Sequence, residues 1–390
     1  MALLSETRCL FPKYKPGAAP AQRNLPLLPC GYHGVLLFWS QVPIVSATAA
    51  NKIHGIFTPI LIPFDDRGQI NEPELRRFVN WLIDRGVHGL YPNGSSGEFT
   101  RFTPAERRRI TQIVAEENNG RVPIIAGAAE ANVKETIAAC EHAASLGARA
   151  VAIVAPFYYK LTSESVYAYF ADIARESPID LTLYNIPMFA SPIDVPTIRR
   201  LADEFPRVIG IKDSTGDLAF MMRLISQIRP ARPDFTFLTS WEAVLVPMLM
   251  IGCDGGTHAS SNVVPEVTRR IYDLYRSGDT DAAMRWQFRL LELFDAMLYP
   301  FEFPFGFKAA AELRGIHFGT GRLPQTPQQR TEHEALSKVL QCILADFELV
   351  NPPASGCPVR SPEAAQNIGP EHVQQMVHQV LHEMKNRGLL

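Results

Sequence analysis

The chain has 390 residues, 46% of them hydrophobic and 20% charged, with a formal net charge of −2. This is the composition of a soluble globular protein, long enough for one large domain or two smaller ones. Its near-neutral charge gives no electrostatic pull toward nucleic acid or anionic membrane, and no apolar run reaches the ~18–20 residues of a membrane span.

Residues 1–52 read as a disordered leader. "GVLLFWSQVPIVSATAA" (34–50) has an apolar core and the small residues Ala47–Ala49, as a secretory signal has. However, Lys13, Lys15 and Arg23 lie far upstream, and Gln41 and Pro43 interrupt the core, so a leader or a start codon assigned too early is the simpler expectation. Six cysteines (Cys9, Cys30, Cys140, Cys253, Cys342, Cys357) are scattered, with no CxxC pair and no His/Cys cluster at metal-ligand spacing. They are expected as free thiols in a reducing, cytoplasmic compartment, with no metal site.

From residue 53 short apolar runs alternate with amphipathic stretches. The runs are "GIFTPIL" (55–61), "GLYPNGS" (89–95), "PIIAGAA" (123–129), "AVAIVAP" (150–156), "LTLYNIP" (181–187), "VIGIKD" (208–213), "FTFLTS" (235–240) and "GGTHASS" (255–261). Asn71, Thr103, Asn132 and Thr162 stand just before helical patterns and predict N-caps. Alternating strands and helices imply parallel βαβ units, and eight of them predict an α/β fold, a TIM (β/α)₈ barrel over 53–280. A doubly wound sheet would need a glycine-rich fingerprint after its first strand, which "GIFTPILIPFDDRG" is not. Further helices at 264–277, 281–299, about 304–314 and 331–348 exceed what the barrel needs and predict a C-terminal α-helical subdomain over 281–348. A Pro/Ala/Ser/Gly-rich linker (351–370) and a last amphipathic helix (371–390) follow.

In such a barrel the carboxyl ends of the strands face the active site. Lys212 ends the sixth strand, where a dry pocket would disfavour its ammonium and leave an amine able to form a Schiff base. A lysine that snorkels to the rim or pairs with Asp213 is the alternative, and for an isolated strand-end lysine the better one. The neighbouring strand ends favour the amine. Tyr184 offers a phenol as proton relay, and "GSSGE" (94–98) offers the Ser95 and Ser96 hydroxyls and backbone N–H groups opened by Gly94 and Gly97, an anchor for a keto-acid carboxylate.

"GSSGE", "YNIP" and "GIKDSTGD", in this order and spacing, resemble the dihydrodipicolinate synthase/N-acetylneuraminate lyase family of class I, pyruvate-handling aldolases. The likeness covers about residues 53–348. It implies Lys212 as the Schiff-base lysine, Tyr184 as the relay, Ser95 and Ser96 with Gly94 as the pyruvate cradle, and the Thr257 carbonyl facing the site. It also implies that Tyr158 of "PFYY" is offered across a dimer interface to a neighbour's Tyr184, in a homotetramer, and that Glu98 fixes its loop. No cofactor is implied, because the imine is the electron sink.

Departures bear on the substrate. The synthases resemble "YNVPSRTG" after the relay tyrosine, but here "YNIPMFAS" puts Phe189 at the arginine position, and a phenyl ring cannot grip a carboxylate. The sialic acid lyases resemble "GYDE" after the seventh strand, but "SWEA" (240–243) keeps one acid, Glu242, and adds Trp241. "APFYYKLTSESVYAYF" looks nearer to the 2-keto-3-deoxy sugar acid aldolases, and "GSSGEF" is similar to the 4-hydroxy-2-oxoglutarate aldolases. The expected reaction is retro-aldol cleavage of a 2-keto-3-deoxy or 4-hydroxy-2-oxo acid to pyruvate and an aldehyde. A dehydratase or sialic acid lyase on the same imine is the alternative. An idle barrel scaffolding through its tail is the reading of a different class. That tail (371–390) puts Val373, Met376, Val377, Val380, Leu381 and Met384 on one stripe and resembles the encapsulation peptides of bacterial microcompartments, which implies a shell partner.

Overall fold

In a computed structural model the described residues are 52–130, 132–319 and 321–357. The proposed leader and the terminal amphipathic helix lie outside them, and only the first residues of the proposed linker lie within.

Eight parallel strands form the barrel: β1 (Gly55–Pro59), β2 (Gly89–Tyr91), β3 (Ile125–Gly127), β4 (Ala150–Val154), β5 (Leu181–Asn185), β6 (Val208–Asp213), β7 (Thr236–Thr239) and β8 (Gly255–Thr257). Neighbours pair in the order β2-β1-β8-β7-β6-β5-β4-β3, and a parallel bridge between Leu90 and Ile124 closes the ring. The strands are short, and nearly every residue in them is buried, because one side faces the barrel interior and the other a helix layer.

Helices alternate with the strands: α1 (Glu72–Asp84), α2 (Pro104–Asn118), α3 (Val133–Ser145), α4 (Ser163–Glu176), α5 (Val195–Glu204), α6 (Leu218–Ile228), α7 (Leu245–Met250) and α8 (Pro265–Arg276). The four expected caps are present. Asn71, Thr103, Asn132 and Thr162 each accept a backbone N–H three residues on, and Thr103 completes a capping box with Glu106. Leu75, Phe78, Val79 and Leu82 of α1 show how the helical period turns one stripe inward.

Three more helices follow, α9 (Thr280–Leu298), α10 (Phe305–Leu313) and α11 (Pro327–Asp346). Buried Phe294, Phe307, Leu340 and Leu344 join them to the same apolar core as the barrel's helices. The expectation of free cysteines fails at one pair, because Cys342 of α11 and Cys357 form a disulfide, with Cα atoms 5.7 Å apart. After α11 the chain doubles back, and Gln341 Nε2 donates to the Asn351 carbonyl, so two cysteines 15 residues apart are brought together with no signature in their spacing. Cys140 and Cys253 are free and buried. No described helix is long and apolar enough to cross a membrane.

Candidate active site

Lys212 and Tyr184 are register partners on the adjacent strands β6 and β5. Side chains alternate along a strand, so these two point into the barrel while their successors, Asp213 and Asn185, point out together. Asn185 Nδ2 donates to Asp213 Oδ1 at 2.8 Å, and the Thr215 hydroxyl donates to Asp213 Oδ2 at 2.5 Å. The acid next to Lys212 in sequence therefore does not pair with it.

The Lys212 side chain is 3% exposed. Its Nζ lies 3.8 Å from the centroid of the Tyr184 ring and 4.5 Å from that of Tyr91, with no hydrogen bond or ion-pair contact among the described residues. Burial drives its pKa well below the ordinary value of 10.5, and the charge of Glu242 offsets this only in part. The snorkelling and ion-paired alternatives for this lysine are not what the chain adopts.

The Tyr184 hydroxyl stands 3.1 Å from Ser95 Oγ, and burial raises the pKa of its phenol. Ser95 belongs to the loop after β2, and Ser96 beside it is buried. Gly97 makes the loop's tight path possible, since a Cβ there would sit 2.7 Å from the Ile60 carbonyl oxygen. Gly94 packs against the Tyr91 ring. Glu98, buried at a left-handed φ of 57°, pairs with Arg101 and with Lys308 of α10, which ties the loop to the C-terminal helices.

Thr257 ends β8, and its carbonyl accepts from the Ser240 hydroxyl at 3.0 Å. Glu242 is buried, accepts from the Ser260 N–H at 3.0 Å and from the Ser260 hydroxyl, and its backbone carbonyl accepts from Gln287 Nε2 at 2.8 Å. Burial pushes its carboxyl up to about 7 against the pull of the Ser260 donors and of Lys212. His258 is also fully buried, and burial beside the positive field of Lys212 lowers its pKa to about 3. Both of its ring nitrogens lack a hydrogen-bond partner among the described residues.

Ser95, Ser96, Tyr184, Lys212, Glu242, Thr257 and Phe189 all line one cavity of about 100 Å³. Two expected residues are exposed. Phe189 is half-exposed at the mouth, and Tyr158 is 89% exposed, edge-on to Tyr159, with a left-handed φ of 81°. Sequence reading missed Tyr91, Ser260, Gln287 and Lys308. Tyr91 alone carried a signal, as the last residue of an inward-alternating strand. Ser260, Gln287 and Lys308 meet the site through contacts 18 to 210 residues away in the chain. Among the described residues no group of three or more His, Cys, Asp or Glu side chains could hold a metal ion.

A family model described as the dihydrodipicolinate synthetase family matches residues 52–343. A 4-hydroxy-tetrahydrodipicolinate synthase of Methanopyrus kandleri is 33% identical over 292 residues, 74% of this chain and 96% of that one. YagE of E. coli K12, a prophage protein of the dihydrodipicolinic acid synthase family solved in complex with pyruvate, superposes with a TM-score of 0.71 at 29% identity, covering 75% of this chain and 99% of its own. A 2-keto-3-deoxygluconate aldolase from Picrophilus torridus gives a TM-score of 0.66 at 28% identity, covering 70% and 97%. The chain belongs to the dihydrodipicolinate synthetase family of lyases and aldolases.

Proposed function

We propose that the chain is a Schiff-base lyase that cleaves a 4-hydroxy-2-oxo acid, the class that includes 2-keto-3-deoxy sugar acids, to pyruvate and an aldehyde. The observation that carries this reading is the buried, unpaired amine of Lys212 against the Tyr184–Ser95 hydroxyl pair.

The amine adds to the C2 carbonyl of the keto acid, and loss of water leaves a protonated imine. The C4 hydroxyl gives its proton to Tyr184 while Tyr184 passes its own to Ser95 and part-buried Ser95 releases its hydroxyl proton to solvent at the cavity mouth, so neither oxygen holds a full charge. The C3–C4 bond breaks, its electron pair moves into the enamine, and C4 leaves as the aldehyde carbonyl. Protonation at C3 and addition of water then release pyruvate and restore the amine. In this reading the Ser95 and Ser96 loop holds the pyruvate carboxylate. Glu242, titrating near neutral pH in the same cavity, is suited to lend or take the proton that imine formation and hydrolysis require. In this reading Tyr158 serves a second copy of the chain, which its exposed ring on a strained backbone supports. Phe189 argues against dihydrodipicolinate synthesis, which the resemblance associates with an arginine there.

Product analysis on 2-keto-3-deoxy and 4-hydroxy-2-oxo acids tests the reading. Pyruvate and aldehyde released in equal amounts support a lyase, whereas a dehydrated oxo acid with no aldehyde contradicts it.

A further inference from the structure

Two cavities meet at the mouth of the barrel. The inner one, about 100 Å³, holds Lys212. The outer one, about 300 Å³, shares Ser95, Ile186, Phe189 and Phe303 with it. A keto acid bound covalently to Lys212 must direct whatever substituent follows C4 into this outer space, because the inner one is filled by its pyruvate half.

The outer walls are apolar. Phe99, Phe157, Phe189 and Phe303 face the space together with Val154 and Ile186. Phe99 and Phe157 meet edge to face, with centroids 5.9 Å apart and planes at 89°, the arrangement that accepts a further ring. The polar groups on the same walls are largely committed elsewhere. Ser95 bonds Tyr184, and Glu98 is shared by Arg101 and Lys308. A polyhydroxylated tail would thus exchange water for phenyl rings, at roughly tenfold in affinity for each hydroxyl left without a partner. A distal carboxylate would have to compete with Glu98 for Arg101, the cation on these walls, because Glu98 already pairs with it.

Resting on the lyase reading above, we infer that the outer cavity is a subsite for an apolar, aromatic substituent on C4, so that the aldehyde released is an arylaldehyde-like molecule rather than a polyol or an oxo acid. Phe189 is then the specificity-determining side chain. It stands where the resemblance places a carboxylate-gripping arginine, and it turns that position from ionic to apolar.

The test compares kcat/KM for pyruvate release by the full-length chain from 4-hydroxy-2-oxo-4-phenylbutanoate, 2-keto-3-deoxygluconate and 4-hydroxy-2-oxoglutarate, with borohydride trapping of pyruvate on Lys212 run alongside. The phenyl substrate is expected to lead by about tenfold or more. Phe157→Ala should cut that lead about tenfold, mainly through KM, and Phe189→Arg should shift preference toward the dicarboxylic acid. Because the Phe189 ring is half-exposed, the arginine variant can fold, and its thermal midpoint checks this. Trapped pyruvate with equal or greater turnover of the polyhydroxylated or dicarboxylic acid overturns the subsite while leaving the lyase intact. An absence of trapping overturns both.

Discussion

The Tyr184 hydroxyl and Ser95 Oγ lie 3.1 Å apart, the one on the fifth strand of the barrel and the other on the loop after the second. Eighty-nine residues separate them in the chain, and barrel closure brings them together over the buried amine of Lys212. If the pair acts as one relay, its two deletions are not additive. Tyr184→Phe is expected to lower kcat by about 10²–10³-fold, and Ser95→Ala by less. The double variant should be little worse than Tyr184→Phe. Steady-state kinetics on the three proteins check this, and fully multiplicative losses would separate the two hydroxyls.

Lys212→Met should remove at least about a thousandfold of activity, because no other group can form the imine. The same change should leave the thermal midpoint equal or higher. A buried amine with no hydrogen-bond partner costs desolvation that a thioether of similar length does not. A marked fall in midpoint would mean that the lysine holds the barrel together instead of serving chemistry.

The pH dependence of imine formation follows from the direction of the Lys212 shift. Only the neutral amine attacks the carbonyl, so the rate rises as pH passes through the lysine's pKa and then levels off. Burial puts that pKa well below 10.5, so the plateau should be reached far below the pH an exposed lysine would need. Stopped-flow measurement of pyruvate binding across pH checks it. A rate still climbing at the ordinary lysine pKa contradicts a dry pocket.

Glu242 gives a stability prediction of opposite sign to the usual carboxylate. Its folded pKa, about 7, lies above the ordinary 4.5, so the folded chain holds a proton that the unfolded chain has already lost. The resulting stabilisation is complete below pH 4.5 and is lost as pH rises through 7. Between pH 5 and 8 the native chain should therefore lose stability relative to Glu242→Gln, by ~3 kcal/mol at most. Denaturant titrations at both pH values read the difference. An unchanged gap would mean that Ser260 alone keeps the carboxylate charged.

The sequence made the barrel legible because each strand is a short apolar run and each intervening helix opens on a cap. "VIGIKD" is a strand over its whole length, and Asn71, Thr103, Asn132 and Thr162 cap as their residue types require. Strand alternation also brings Lys212 and Tyr184 to one face and sends Asp213 to the other. What could not be read was whatever depends on long-range packing. The outer wall takes Phe303 from the segment before α10, Phe157 from the loop after β4 and Phe99 from the loop after β2. No local pattern marks these rings as neighbours. The Cys342–Cys357 pair was hidden for the same kind of reason, since it depends on the chain turning back after α11.

Reduction with borohydride in the presence of pyruvate, followed by peptide mapping, tests the central assignment most directly. The account predicts one reduced pyruvate on the peptide that carries Lys212, and none in Lys212→Met. An unmodified Lys212 peptide, or an adduct carried by a different lysine, would contradict it.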